Sequence, residues 1–130
     1  MQQVYVAGTT QNFSITAQDQ FITTTAITLT QGWYRIYMWS ALNNLPAGAF
    51  IRNGMSPQQN AWPSGPVSYH GGRVETPDRT GYCPCLVDDD FYVPAGGQTW
   101  YHVLQVQNAQ GTNVAVLPAP ATGISAWRWR

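Results

Sequence analysis

Two cysteines, Cys83 and Cys85, and two histidines, His70 and His102, are the residue types from which a zinc site is built. Their spacing departs from that of short zinc ribbons, where the cysteines stand apart with room for a turn between them. Cys83 and Cys85 enclose a single proline, so on a strand they would share a face and could offer two thiolates together. A disulfide between them would close a strained ring. The plainer expectation is reduced thiols packed as small apolar groups, with His102 a core-facing histidine satisfied by a neighbour. Spacing alone leaves open whether Cys83, Cys85, His70 and His102 meet. The expectation is no metal and no cofactor.

The run Asp88-Asp89-Asp90 offers hard oxygen ligands, but it lacks the spaced ligands and turn glycine of a calcium loop, and it also reads as a solvated turn. Hydrolysis of a glycosidic bond needs two opposed carboxyl groups. Glu75 is the sole glutamate, and it stands with Asp78 in an irregular stretch. There is no nucleophile elbow, no dinucleotide or phosphate-loop fingerprint and no lysine for Schiff-base chemistry. The expectation is a protein that is not an enzyme.

Charge bounds the partners further. Only 9% of residues are charged, formal net charge is zero, and the six basic residues are all arginines: 35, 52, 73, 79, 128 and 130. Without clustered cations there is no electrostatic footprint for nucleic acid or an anionic membrane, because counterion release requires them. A surface so poor in charge stays soluble best when its apolar patches are covered, which favours life inside an assembly. No basic leader segment or apolar membrane span is visible, so the chain is expected to be soluble and made in the cytoplasm.

The elements that must position these side chains read as strands. Trp33 to Trp39 is dominated by aromatic and β-branched residues, which suit a pleated, half-buried surface. Alternation puts Tyr34, Ile36 and Met38 on one face and Trp33, Arg35, Tyr37 and Trp39 on the other, so both faces need cover. The Asn43-Asn44-Leu45-Pro46 signal closes this strand. Phe21 to Thr30 precedes it, with Ile27 and Leu29 inward, and the Gln31-Gly32 link makes an antiparallel hairpin of the two. Val4 and Val6 alternate with Tyr5 in a short strand or an N-terminal arm within residues 1–10. Phe13 and Ile15 mark another strand, and Phe50-Ile51 a brief one.

Residues 55–80, with four prolines and a Gly71-Gly72 pair, read as a long irregular loop. That loop carries Trp62, Tyr69, Arg73 and Arg79, types that anchor interfaces. Tyr82 to Val87 reads as the start of a strand, because Pro84 is tolerated only at an edge or near a strand's beginning. Phe91 and Val93 lead into the Pro94–Gly97 turn. The strand from Thr99 to Gln107 should turn Trp100, His102, Leu104 and Val106 to the core. Val114 and Val116 form one more strand, and Ile124 to Arg130 the last, with Trp127 and Trp129 on one face.

Short strands separated by turn signals across 130 residues predict a single all-β domain, an antiparallel β-sandwich, jelly roll or small barrel. Six tryptophans and seven tyrosines admit a rival role. Exposed rings on a sandwich stack on sugars, so a carbohydrate- or receptor-binding module, such as a tail-fibre tip, stands beside an assembly protein.

The threonine-rich strand entering Gly32-Trp33-Tyr34-Arg35-Ile36, the Tyr92-Val93-Pro94-Ala95-Gly96-Gly97 turn feeding an aromatic strand, and the lysine-free neutral surface resemble small virion proteins of tailed bacteriophages. Among these the chain is most similar to capsid decoration, or cement, proteins. That resemblance implies a virion component, a homotrimer seated on the major capsid protein lattice. The contacts expected are Val4, Tyr5 and Val6 near the amino terminus, Trp62, Tyr69, Arg73 and Arg79 in the long loop, and Trp127, Arg128, Trp129 and Arg130 at the end. Arginine beside tryptophan gains cation–π energy and suits interfaces.

Overall fold

A computed structural model describes residues 3–8, 13–15, 21–45, 49–61, 68–74, 79–86, 91–107, 114–116, 118 and 122–129. Its elements are β1 (Gln3–Gly8), β2 (Phe13–Ile15), β3 (Phe21–Leu29), β4 (Gly32–Leu45), β5 (Ala49–Ser56), β6 (Ser68–Val74), β7 (Arg79–Leu86), β8 (Phe91–Val93), β9 (Gln98–Gln107), β10 (Val114–Val116) and β11 (Gly123–Arg128). They form two antiparallel sheets. One has seven strands built around β4; the other has four, in the order β3-β9-β5-β6.

The long strand β4 explains the larger sheet. Along one edge it pairs with β11 and then β10; along the other it pairs with β8 and then β7. Beyond β11 and β10 lie β1 and β2, again end to end. Counting each end-to-end pair as one strand reduces the eleven segments to eight. Their order is then first-eighth-third-sixth in one sheet and second-seventh-fourth-fifth in the other. This is a jelly roll, the two-sheet answer to exposed strand edges.

Three expectations need correction. β3 and β4 do not form a hairpin: β3 pairs with β9 and β4 with β11, so the Gln31-Gly32 link passes from one sheet to the other. A two-residue link is short enough for either geometry, and burial decided it. Leu29 and Tyr34 both enter one core from opposite sheets. Second, β4 runs through its expected turn to Leu45, with Asn44 at φ 66° inside the strand. The pairing with β7 is irregular between Leu42 and Leu45, so a residue type that favours a turn here marks a bulge. Third, the stretch 55–80 is not all loop. Met55 and Ser56 end β5, and β6 crosses it, paired with β5. The glycine pair in β6 erased the alternation by which a strand is read.

Residues 3–8 form β1, paired over its length with β11 of the same chain. Pro84 lies in β7, which among the described residues pairs in its sheet with β4 alone, and this is the edge position proline tolerates.

The core has two apolar clusters. One gathers Ile27, Leu29, Tyr34, Ile36, Met38, Met55, Phe91, Val93, Ile124 and Ala126; the other gathers Ile15, Ile22, Leu42, Ala49, Ile51, Leu104, Val106, Val114 and Val116. Between them each long strand turns one polar residue inward: Thr24 between Ile22 and Ile27, Ser40 between Met38 and Leu42, Asn53 between Ile51 and Met55. His102 stands before Leu104 on β9 in the same way. In β3 a bulge between Thr23 and Thr25 shifts the inward phase from even to odd positions.

Candidate interaction surface

The buried polar waist accounts for one of the candidate metal ligands. His102 is fully buried, with Nδ1 2.6 Å from Thr24 Oγ1 and Nε2 2.8 Å from Asn53 Oδ1. An amide oxygen only accepts, so Nε2–H donates to Asn53 and Nδ1 accepts from the Thr24 hydroxyl. Both ring nitrogens are committed, and the ring is a satisfied core histidine. Burial pulls its pKa down from 6.5 to about 3. Among the described residues no three of His, Cys, Asp and Glu come together. Cys83, Cys85 and His70 lie on β7 and β6, and Asp88-Asp89-Asp90, Glu75 and Asp78 fall outside the described residues.

The outward faces of the two sheets differ in chemistry. That of the four-stranded sheet is threonine and amide: Thr28 Oγ1 meets Thr99 Oγ1 at 2.9 Å, and Arg52 Nη1 donates to Gln105 Oε1 at 2.9 Å. Asn60 and Thr23 exchange hydrogen bonds of 2.8 and 2.9 Å, which tie the residues after β5 to β3.

The outward face of the seven-stranded sheet is aromatic. Register places Val4 opposite Trp127 and Trp127 opposite Arg35; in the next outward row Val6 faces Ser125 and Ser125 faces Tyr37. Trp33 faces Tyr92 with ring centroids 5.1 Å apart, and Trp129 N–H donates to Trp33 O at 3.1 Å. Tyr37 stacks on Trp39 at 5.5 Å. Among the described residues the exposed large apolar side chains are Val4, Val6, Tyr92, Trp127 and Trp129, between 37% and 66% accessible, and all of them lie on this face. A one-sided patch of this kind marks a binding surface, where scattered apolar residues would not.

The face also has relief. Ser125 is small between large neighbours, and a cavity of about 340 Å³ opens there, lined by Arg35, Tyr37, Ser125 and Trp127.

Of the contacts expected from sequence, Val4, Val6, Trp127 and Trp129 come together here. Tyr5 and Arg128 alternate to the inward side, where the Tyr5 ring packs edge-on against Tyr34 at 5.9 Å. Their neighbours in sequence are the outward residues. Tyr69 and Arg73 lie on β6 and Arg79 begins β7. Trp62 and Arg130 lie outside the described residues. Sequence reasoning did not name Arg35, Tyr37, Ser125 or Tyr92 as surface contacts. The signal for the first two was present, since alternation had already put Arg35 and Tyr37 on a face that needed cover.

The fold defines the class: an all-β jelly roll of two antiparallel sheets. Similar folds occur in the structure of infectious bursal disease virus, Gx strain (TM-score 0.56, 9% identity), covering 98% of this chain and 37% of that one. The crystal structure of the T13 viral particle of the same virus gives a TM-score of 0.58 at 10% identity, with 98% of this chain and 35% of that one covered. The Gt strain gives 0.55 at 9%, with 98% and 36% covered. The chain thus spans a little over a third of these neighbours. They come from an animal virus and not from a tailed phage. At such identities the likeness is one of fold. No family model matches the chain, and no curated protein matches it in sequence.

Proposed function

We propose that this chain is a non-enzymatic structural protein of a virion, one that self-associates and binds a capsid lattice to stabilise it. The observation that carries this reading is the gathering of all exposed large apolar side chains, among the described residues, on one face of a jelly roll. A domain with so few charges is best kept soluble by covering such a face with protein. The fold's likeness to virus-particle structures supports a place in a shell. At a finer level, the resemblance to tailed-phage virion proteins supports a decoration, or cement, protein seated as a homotrimer on the major capsid protein, after synthesis in the host cytoplasm.

The test is to mix the purified chain with capsids of the virus that encodes it, prepared without this protein, and to sediment the particles. Saturable co-sedimentation and a raised shell melting temperature are expected. Failure to bind would overturn the lattice reading. Trp127, half exposed beside a cavity, favours the carbohydrate-binding rival specifically. A specific glycan-array signal from a chain that ignores capsids would replace the proposal with that rival.

A further inference from the structure

We infer that two copies of this chain pack face to face through the seven-stranded sheet, about a two-fold axis crossing β11 at Ala126 and β4 at Ile36. This rests on the self-association in the reading above, sets a two-fold pair in place of its homotrimer, and does not depend on lattice binding.

The argument is one of register. Outward residues of β11 run Gly123, Ser125, Trp127, with Trp129 next: two small, then two large, about Ala126. Opposite them on β4 stand Trp39, Tyr37, Arg35 and Trp33. An axis lying in the interface, perpendicular to the strands at the level of Ala126, exchanges the levels of Ser125 and Trp127. The Trp127 ring of each copy then enters the cavity over Ser125 of the other. By the same rotation the Arg35 guanidinium of each copy lies over the Tyr37 ring of the other, a cation–π contact made twice. Val4 meets Val6.

Neighbouring axes fail. Centred on Trp127, the axis would set ring on ring and Arg35 on Arg35; centred on Ser125, it would set cavity on cavity. The Ala126 level keeps the two Arg35 side chains offset by about 6.8 Å along the strands. A surface carrying knob and hole at exchangeable positions is what an isologous contact requires. Aromatic side chains bury about 150–250 Å² each. Of the six rings on this face, Tyr92, Trp127 and Trp129 keep 37–50% of their surface exposed, and with Val4 and Val6 they supply a large share of the roughly 800 Å² per partner of a standard interface.

Sedimentation equilibrium of the full chain tests this with two complementary variants. Wild type should give twice the monomer mass, or an even multiple of it. W127A leaves an empty cavity, S125W sets knob against knob, and each alone should associate at least tenfold more weakly. Their equimolar mixture should recover pairing, because the introduced indole occupies the space vacated at Trp127. A monomeric or trimeric wild type, or a mixture that stays apart, would overturn the inference. If S125W loses its strand signature in circular dichroism, W127A and R35A decide: wild-type association in either would overturn the inference. Pairing without capsid binding would sink the lattice reading and leave this one standing.

Discussion

At the scale of single residues the polar waist sets how stability responds to pH. His102 is neutral in the fold, with its pKa near 3 against 6.5 when free. Unfolding therefore takes up a proton between these values, so the stability it protects is complete above about pH 6.5 and declines as pH falls toward 3. The loss is about 1.4 kcal/mol per pH unit inside that window. Most carboxylates titrate below about pH 5, so melting temperatures between pH 6.5 and 5 isolate the histidine. They should fall in wild type and stay flat in H102Q. Ser40 makes the opposite case. Its Oγ is buried with no hydrogen-bond partner among the described residues. Removing an unsatisfied hydroxyl restores its desolvation cost, so S40A should be neutral or stabilising by about 1 kcal/mol in urea unfolding. The histidine's core role was legible in sequence from its place in an apolar alternation. Its partners were not, because Thr24 and Asn53 lie on other strands and register joins them.

At the scale of elements, β4 carries the molecule, and its centre was readable from Trp33 to Trp39 because aromatic and β-branched residues alternate there without interruption. Ile36 is fully buried on the inner face of the sheet, beside Ala126 of β11, so I36A should cost about 2–5 kcal/mol in chemical denaturation. The Pro94–Gly97 turn was equally legible. Gly96 has φ 93°, Gly97 has φ 69°, and Gly97 N–H donates to Pro94 O at 3.2 Å. A Cβ on Gly97 would stand 2.6 Å from Leu29 O, so G97A should cost more than about 2 kcal/mol and lower the melting temperature by roughly 6 °C or more. What sequence hid were crossings between sheets. Gln31-Gly32 has the length of a hairpin turn, and only the burial of Leu29 and Tyr34 against each other's sheets separates a corner from a hairpin. β6 was hidden by its own glycines, since a strand without alternating side chains carries no period to read.

At the scale of the whole molecule, the two outward faces divide the chemistry: threonine and amide on the smaller sheet, tryptophan, tyrosine and valine on the larger. Sequence reasoning located the aromatic strands one by one, and register assembled them into a single surface. The account holds that this surface is covered by protein. Its most direct test is the mass of the purified full chain by light scattering over a concentration series. A stable assembly that persists on dilution, and weakens in W127A without a change in strand content, is the predicted result. A monomer at every concentration, with Trp127 open to solvent, would contradict it and turn the aromatic face from an interface into a ligand platform.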